Sequence, residues 1–439
     1  MNKNTTLRAT AMAALMVTAG QAWATNGMLM EGYGPVALSM GGAAQAYDNG
    51  TAAMMNNPAT LQLGANGTRV DLALGVLGPN VTAMGEKSGG TSYVMPAIGW
   101  VRKNDRYSYG FGVFGQGGMG TEYAAGSMNA AGTSQPVRSE LAVGRVIFPV
   151  SYRATEQLNL GASLDYTWAS LDMRMAAGLS QLGGLYAGGT GAFAPANLQA
   201  AMGQLAGMGI STARIDFSDD NKFTGAAKSS GFTGKFGATY AVDPSLTLGA
   251  SYHLKTRMGD MKTNATGATL TMGQPMTGRM VIHDFQMPSN WAMGLSWNAS
   301  SRLQWVADVK RIGWANAMRD FRMTFESAPG NVSFTLPQNW KDQTVLSLGG
   351  AYKLDTSWTL RGGYSHASNP VPDATVHPLF PAIVKNHYTA GVGYQISKNM
   401  TLDAAVSHAP QVTVNAGMLG GAPITHSQTN YQLLLGVRY

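Results

Sequence analysis

The chain has 439 residues, no cysteine, 12% charged residues and a net charge of +7. That charge density lies well below the roughly 25% of soluble globular domains, and the 56 glycines exceed the usual share of about 7%. The basic residues are scattered, which excludes the clustered face a nucleic-acid binder needs. A mean hydropathy of −0.06, with apolar runs broken every few residues, excludes spanning helices. A membrane β-barrel fits what remains.

The N-terminus carries Lys3 and Arg8, an apolar stretch from Ala9 to Ala19, and Ala22-Trp23-Ala24. This pattern predicts a secretory leader over residues 1–24, with the mature chain starting at Thr25. An exported chain without cysteine has no disulfide framework, so hydrogen-bonded topology and packing must stabilise it. Residues 25–66 lack sustained alternation and are rich in small residues (Gly32, Gly34, Gly41, Gly42, Ala43, Ala44), ending in Asn56-Asn57-Pro58-Ala59. Tyr33, Met40, Tyr47, Met54 and Leu61 predict a compact hatch packed in a lumen; a disordered periplasmic tail is the compositional alternative.

Residues 67–439 read as strands. Leu158/Leu160/Ala162/Leu164/Tyr166, Phe232/Gly234/Phe236/Ala238/Tyr240 and Leu246/Leu248/Ala250/Tyr252/Leu254 alternate with polar partners, the period-two signature of a two-faced strand. Short turns, such as 242–245 and 298–301, alternate with long connections, of which 172–229 is the longest. Together these predict an all-β fold: a transmembrane antiparallel up-and-down β-barrel of about 14 strands, with the small N-terminal hatch plugging the lumen. That count treats Gly278–Met287 and Asn290–Ser300 as one strand kinked at Pro288, because bacterial barrels have even strand numbers. The last strand, Tyr431 to Tyr439, should close against the one beginning near Thr68. Tyr431, Leu433 and Leu435 would then face lipid, and Arg438 the lumen.

The third strand runs through Tyr107, Tyr109, Phe111 and Val113 into Gly115-Gln-Gly-Gly-Met-Gly120. Glycine weakens strands and marks bulges, so Gly115, Gly117, Gly118 and Gly120 are candidates for a lateral opening; a flexible loop root is the alternative. Facing the lumen, Arg145, Lys235, Lys255, Lys310 and Arg361 stand against Asp165, Asp308 and Asp403. The cations suit a carboxylate head, or salt bridges within the lumen. Loop 172–229 is rich in Ala, Gly, Leu and Met after Arg174, and with Leu198, Met202, Leu205 and Met208 at helical spacing it predicts a greasy landing groove or a self-packed cap.

Gly41-Gly-Ala-Ala, Asp48 and Asn57-Pro58-Ala59 resemble the hatch of the FadL/TodX family of outer-membrane transporters. Asn339-Trp340-Lys341-Asp342, Leu348-Gly-Gly-Ala-Tyr352, Trp358-Thr-Leu-Arg361-Gly-Gly-Tyr364 and Pro370-Val371-Pro372-Asp373 match its C-terminal strands in order. Phe380-Pro-Ala-Ile-Val384 departs from the acidic residues the family has after the proline. The resemblance implies a hatch that blocks the lumen, a kinked third strand, and ligand roles for Arg174 and Lys341.

Gly110-Phe-Gly112-Val-Phe-Gly115 fits G-x-G-x-x-G but lies within an alternating strand, so a dinucleotide site is set aside. No hydrolase or metalloprotease motif is present, and the histidines lack ligand spacing. The sequence thus predicts a monomeric outer-membrane channel without cofactor or metal, contacting membrane lipid and lipopolysaccharide. It would take up fatty acids or hydrocarbons passively, by hatch displacement and lateral exit. A surface adhesin on the same barrel and an outer-membrane lipid hydrolase are the rivals.

Overall fold

A computed structural model describes residues 26–221 and 224–439; the predicted leader lies outside them. The alternating segments form strands in chain order. The first are β1 (Gly67–Ala83), β2 (Glu86–Lys87), β3 (Tyr93–Lys103), β4 (Tyr107–Tyr123), β5 (Val137–Arg153), β6 (Leu158–Gly178), β7 (Tyr186–Gly189) and β8 (Thr212–Phe217). Next come β9 (Ala227–Ala241), β10 (Leu246–His253), β11 (Arg257–Met258), β12 (Met261–Lys262), β13 (Ala268–Met272), β14 (Gln274–His283), β15 (Asn290–Asn298), β16 (Leu303–Ile312) and β17 (Asp320–Ser327). The chain ends with β18 (Gly330–Pro337), β19 (Gln343–Lys353), β20 (Trp358–Ala367), β21 (Asn386–Ser397), β22 (Met400–Ala416) and β23 (Ala422–Arg438).

One sheet contains them all, and it closes because β23 pairs antiparallel with β1, from Arg69–Arg438 to Ala83–Ile424. Thr68 and Tyr439 complete the seam, exchanging backbone hydrogen bonds of 2.7 and 3.0 Å. Closure removes the exposed edge that a membrane would leave unsatisfied.

The expected count of about 14 strands is corrected for the sheet as a whole. The sheet contains 23 segments, 18 of them six or more residues long. The surplus arises because the extracellular connections are themselves paired: β8 joins β6 and β13, and β18 joins β7 and β17. The wall steps over them, from β6 to β9, β10 to β15 and β16 to β19. Apolar residues of these segments point at one another rather than at lipid, so no lipid-facing stripe marks them. The single strand kinked at Pro288 is corrected as well. β14 takes β12, β13 and β17 as partners, β15 takes β10 and β16, and residues 284–289 separate them. There Asp284, at φ 50°, turns the chain inward and buries Phe285 and Met287.

The strand period sorts the wall cleanly. Leu164, Phe236 and Tyr431 are 57–58% exposed on the outside, whereas Asp165, Lys235 and Gln432 are at most 7% exposed inside. Inverted polarity of this kind suits a lipid solvent. Residues 26–66 fill the lumen with a one-turn helix, Pro35–Leu38, and two 3-10 turns, Gly50–Met54 and Pro58–Leu63.

Candidate functional site

Asn57 fastens the luminal segment to the wall. Its Oδ1 accepts from Ala59 N at 3.0 Å, capping the turn that Pro58 begins. Its Nδ2 donates to Gln45 O at 2.8 Å and, across to β9, to Ala238 O at 3.2 Å. Ser151 of β5 donates to Pro58 O. Such close docking needs a bare wall: a Cβ on Gly237 would lie 1.9 Å from Asn57 Oδ1, and one on Gly161 2.4 Å from Ala59 N. Further fixings are Asp71 Oδ2 to Thr51 N at 2.8 Å, Asp308 Oδ2 to Ala44 N at 2.6 Å and Asn430 Nδ2 to Glu31 Oε1 at 3.0 Å.

The opposite side is weaker. β3 and β4 pair only from Lys103–Ser108 to Ala97–Phe114, although β3 begins at Tyr93 and β4 continues to Tyr123. Pro96, which has no N–H, lies one residue past the last pair. Beyond Phe114, β4 follows β5 instead, with a register slip between Gly115 and Gly117. Gly117, at φ 155°, bridges to Leu29 of the luminal segment, and a Cβ there would lie 2.1 Å from Met28 O. Only glycine fits that approach. Beside the point of parting, where β3 still pairs with β1, is a cavity of about 40 Å³ lined by Met30, Tyr33, Pro96 and Phe114, and by Leu74 and Ile98, which are lipid-exposed. Side chains of β3 lean across the parting: a Cβ on Gly115 would lie 2.7 Å from Met95 Cε, and one on Gly120 2.5 Å from Tyr93 Oη.

The sequence-predicted cations are mostly neutralised. Arg145 and Lys235 both hold Asp165, the former at 2.9 Å, and Arg145 also donates to Gln116 Oε1 beside the slip. Tyr33 Oη donates to Gln116 O at 2.6 Å, so this cluster ties the slip to the luminal segment. Arg361 pairs with Asp403 at 2.8 Å. Arg174 sits in the extracellular part on Asp220 at 2.6 Å and Asp216 at 3.3 Å. Lys310 and the exposed Lys341 form no side-chain hydrogen bond or ion pair among the described residues, and no shared partner joins Lys341 to Arg174. Lys255 falls past the end of β10, donates to Asn316 O at 2.8 Å and lines an outer notch with Phe232 and Tyr252. Its strand ends at His253, so the inward alternation does not carry to it.

Two extracellular pieces cap the mouth. The helix Pro195–Gly207 lays Leu198 and Met202 against Leu179, Phe193, Leu270 and Phe334, around a cavity of only about 10 Å³. In residues 368–385, Leu379, Ile383 and Val384 are buried. Thr121 and Tyr123 both donate to Pro378 O at 3.1 Å, and Ser139 to Leu379 O. His377 in this lid accepts from Leu379 N at 3.1 Å, and burial lowers its imidazole to about 4. Sequence reasoning missed the lid, though the run Pro378-Leu-Phe-Pro-Ala-Ile-Val384 in a long loop signals it.

A closed antiparallel wall, apolar outside and filled inside, defines an outer-membrane barrel. Residues 15–437 match the sequence profile described as "Outer membrane protein transport protein (OMPP1/FadL/TodX)", and the chain belongs to that family of outer-membrane transport proteins. Its fold is similar to that of the toluene transporter TodX of Pseudomonas putida, at TM-score 0.82 and 32% identity over 93% of this chain and 99% of that one. The toluene transporter TbuX of Ralstonia pickettii gives TM-score 0.78 and 32% identity over the same shares. A long-chain fatty acid transport protein of Salmonella typhi is 23% identical over 333 residues, 72% of this chain and 69% of its own. These relatives are transporters, so the hydrolase reading falls.

Proposed function

We propose that this protein is a passive outer-membrane channel for small hydrophobic molecules, with uncharged aromatic hydrocarbons preferred over long-chain fatty acids. Residues 26–66 act as its hatch, and the substrate leaves sideways between β3 and β4. The observation that carries this reading is the lost pairing above Ala97–Phe114, with a small cavity reaching from the hatch to lipid-exposed Leu74 and Ile98. An apolar solute gains about 0.8 kcal/mol per CH₂ by staying out of water, which favours exit into the bilayer. Neutralisation of Lys235 and Arg361 by Asp165 and Asp403 favours an uncharged substrate. The stronger likeness to the two toluene transporters points the same way. Lys341, and Lys310 beside Asp308, form no ion pair among the described residues, which keeps fatty acids as the second reading.

A cross-link tests the route directly. A Cβ on Gly115 lies 3.7 Å from Met95 Cβ, within disulfide range, and the native chain has no competing cysteine. In cells carrying Met95→Cys with Gly115→Cys, toluene uptake should fall at least tenfold when the pair is oxidised and recover on reduction. Full uptake through a demonstrably cross-linked barrel would sink lateral exit.

A further inference from the structure

On the far side of the wall the strands part a second time. β10 pairs with β15 only as far as His253–Asn290, and pairing resumes at Met261–Ile282 between β12 and β14. Against β9 the register slips twice over the same stretch: His253 faces Lys235, Arg257 faces Phe232, and Lys262 faces Lys228. Residues 284–289 turn into the barrel, with Thr256 N donating to Met287 O at 3.1 Å and Met258 N to Gln286 Oε1 at 2.9 Å. Because the backbone retreats inward while its neighbours stay in line, a notch of about 840 Å³ opens on the outside.

Its lining has two chemistries. Phe232, Tyr252 and Leu254 are lipid-exposed, and Tyr166 meets Phe232 edge-on at 5.5 Å. Lys255 and Arg257 stand above them. Arg257 shares the outward face of its partner Phe232 and forms no hydrogen bond or ion pair among the described residues. Lys255 gives one hydrogen bond to a carbonyl and has two N–H groups left. The acid of the notch, Asp284, lies 3.9 Å from Arg322, so the local balance is positive.

Height along the strand identifies the leaflet. β10 rises from the periplasmic turn at Leu246, and a tilted strand crosses the hydrocarbon core in about 9–11 residues. Leu254 therefore lies near the top of the core and Arg257 just above it, in the outer headgroup layer. Cations over an aromatic and aliphatic wall match a lipid whose phosphate projects from its acyl chains.

The geometry points to a lipid-binding site here: the notch seats a lipopolysaccharide molecule, with a lipid A phosphate on Arg257 and Lys255 and an acyl chain against Phe232, Tyr252 and Leu254. Occupation covers the stretch where the β10–β15 pairing is interrupted. Nothing in the transport route uses this face.

Native mass spectrometry of the full-length barrel, delipidated and then exposed to deep-rough lipopolysaccharide, tests it. The wild-type protein should retain a lipopolysaccharide adduct. Retention should fall at least tenfold in Arg257→Glu with Lys255→Glu, and in the milder Arg257→Gln with Lys255→Gln, each checked for heat-modifiable gel mobility. Dephosphorylated lipopolysaccharide should be retained as poorly by the wild type as the native lipid is by the variants, and excess phosphatidylethanolamine should not displace the adduct. Absence of a wild-type adduct, equal retention by the folded glutamine variant, equal retention of the dephosphorylated lipid, or displacement by phosphatidylethanolamine each overturns the assignment.

Discussion

The luminal segment meets the wall in two contrasting ways. Around Asn57 it docks on β5, β6 and β9, which are paired with one another along most of their length, through side-chain hydrogen bonds and two glycine approaches. Around Met28 and Leu29 it touches Gly117, where β4 has left β3 and a slip relieves the ladder. Buried amide contacts resist breaking because each orphaned donor or acceptor costs about 1–3 kcal/mol. An unpaired strand edge has fewer bonds to lose. Opening should therefore begin at Gly117, with Asn57 as the fixed end. The Arg145–Asp165–Lys235 cluster joins the two ends, since Arg145 also holds Gln116.

The largest disturbance should come from Asp165→Asn. Arg145 and Lys235 are 3% and 1% exposed, and removing their shared carboxylate leaves two cations unpaired in the lumen. Breaking one partner of a buried ion pair costs about 3–5 kcal/mol. We expect a large fall in the temperature at which the barrel loses its heat-modifiable gel mobility. An unchanged transition would remove the cluster from the link between anchor and slip.

Second in size is Asn57→Ala, which removes one cap, one hydrogen bond within the segment and one to the wall, at a cost of about 2 kcal/mol. Here the expected readout is leak: raised single-channel conductance in planar bilayers with the barrel still folded. A conductance equal to wild type would show that the segment is fixed elsewhere and that the contrast between the two ends is misplaced.

How far these ends could be read from sequence follows from which forces leave a periodic trace. Lipid outside and polar groups inside impose alternation on Leu158–Trp168 and Tyr431–Tyr439, so the wall and its seam were legible. The bulge was legible through Gly115 and Gly117, because a positive φ and a 2.1 Å approach admit no side chain. Extracellular pairing was not, since β8, β13 and β18 bury their apolar residues against each other without a membrane to order them. Charge partners were half legible: inward placement of Lys235 and Arg361 followed from period, but their neutralisation depends on cross-strand register. Lys255 was misplaced because the period was extended past the end of its strand.

A smaller effect should appear with pH at the mouth. Burial holds His377 neutral in the docked lid, lowering it from the ordinary 6.5 to about 4. A depressed histidine stabilises the docked form fully above pH 6.5, where both forms are neutral. As pH falls from 6.5 towards 4 the undocked lid takes up the proton and docking weakens. Protection factors of residues 368–385, corrected for the intrinsic pH dependence of exchange, should therefore fall over that window, and His377→Gln should weaken the dependence. Equal pH profiles for the two proteins would place the sensitivity on another group.

The smallest effect on stability is expected at Arg174, and it separates the two substrate readings. Its ion pairs with Asp216 and Asp220 lie on the extracellular side, with Asp220 64% exposed, so their loss should cost under about 1 kcal/mol. Arg174→Ala should leave thermal stability and toluene uptake within twofold of wild type, because an uncharged ring has no use for a guanidinium. A fatty acid carboxylate would have one, but only after displacing two aspartates already in place. If oleate uptake drops tenfold in this variant while toluene uptake holds, Arg174 exchanges its aspartates for substrate. The preference for uncharged molecules would then belong to the lumen alone, and the mouth would serve both classes.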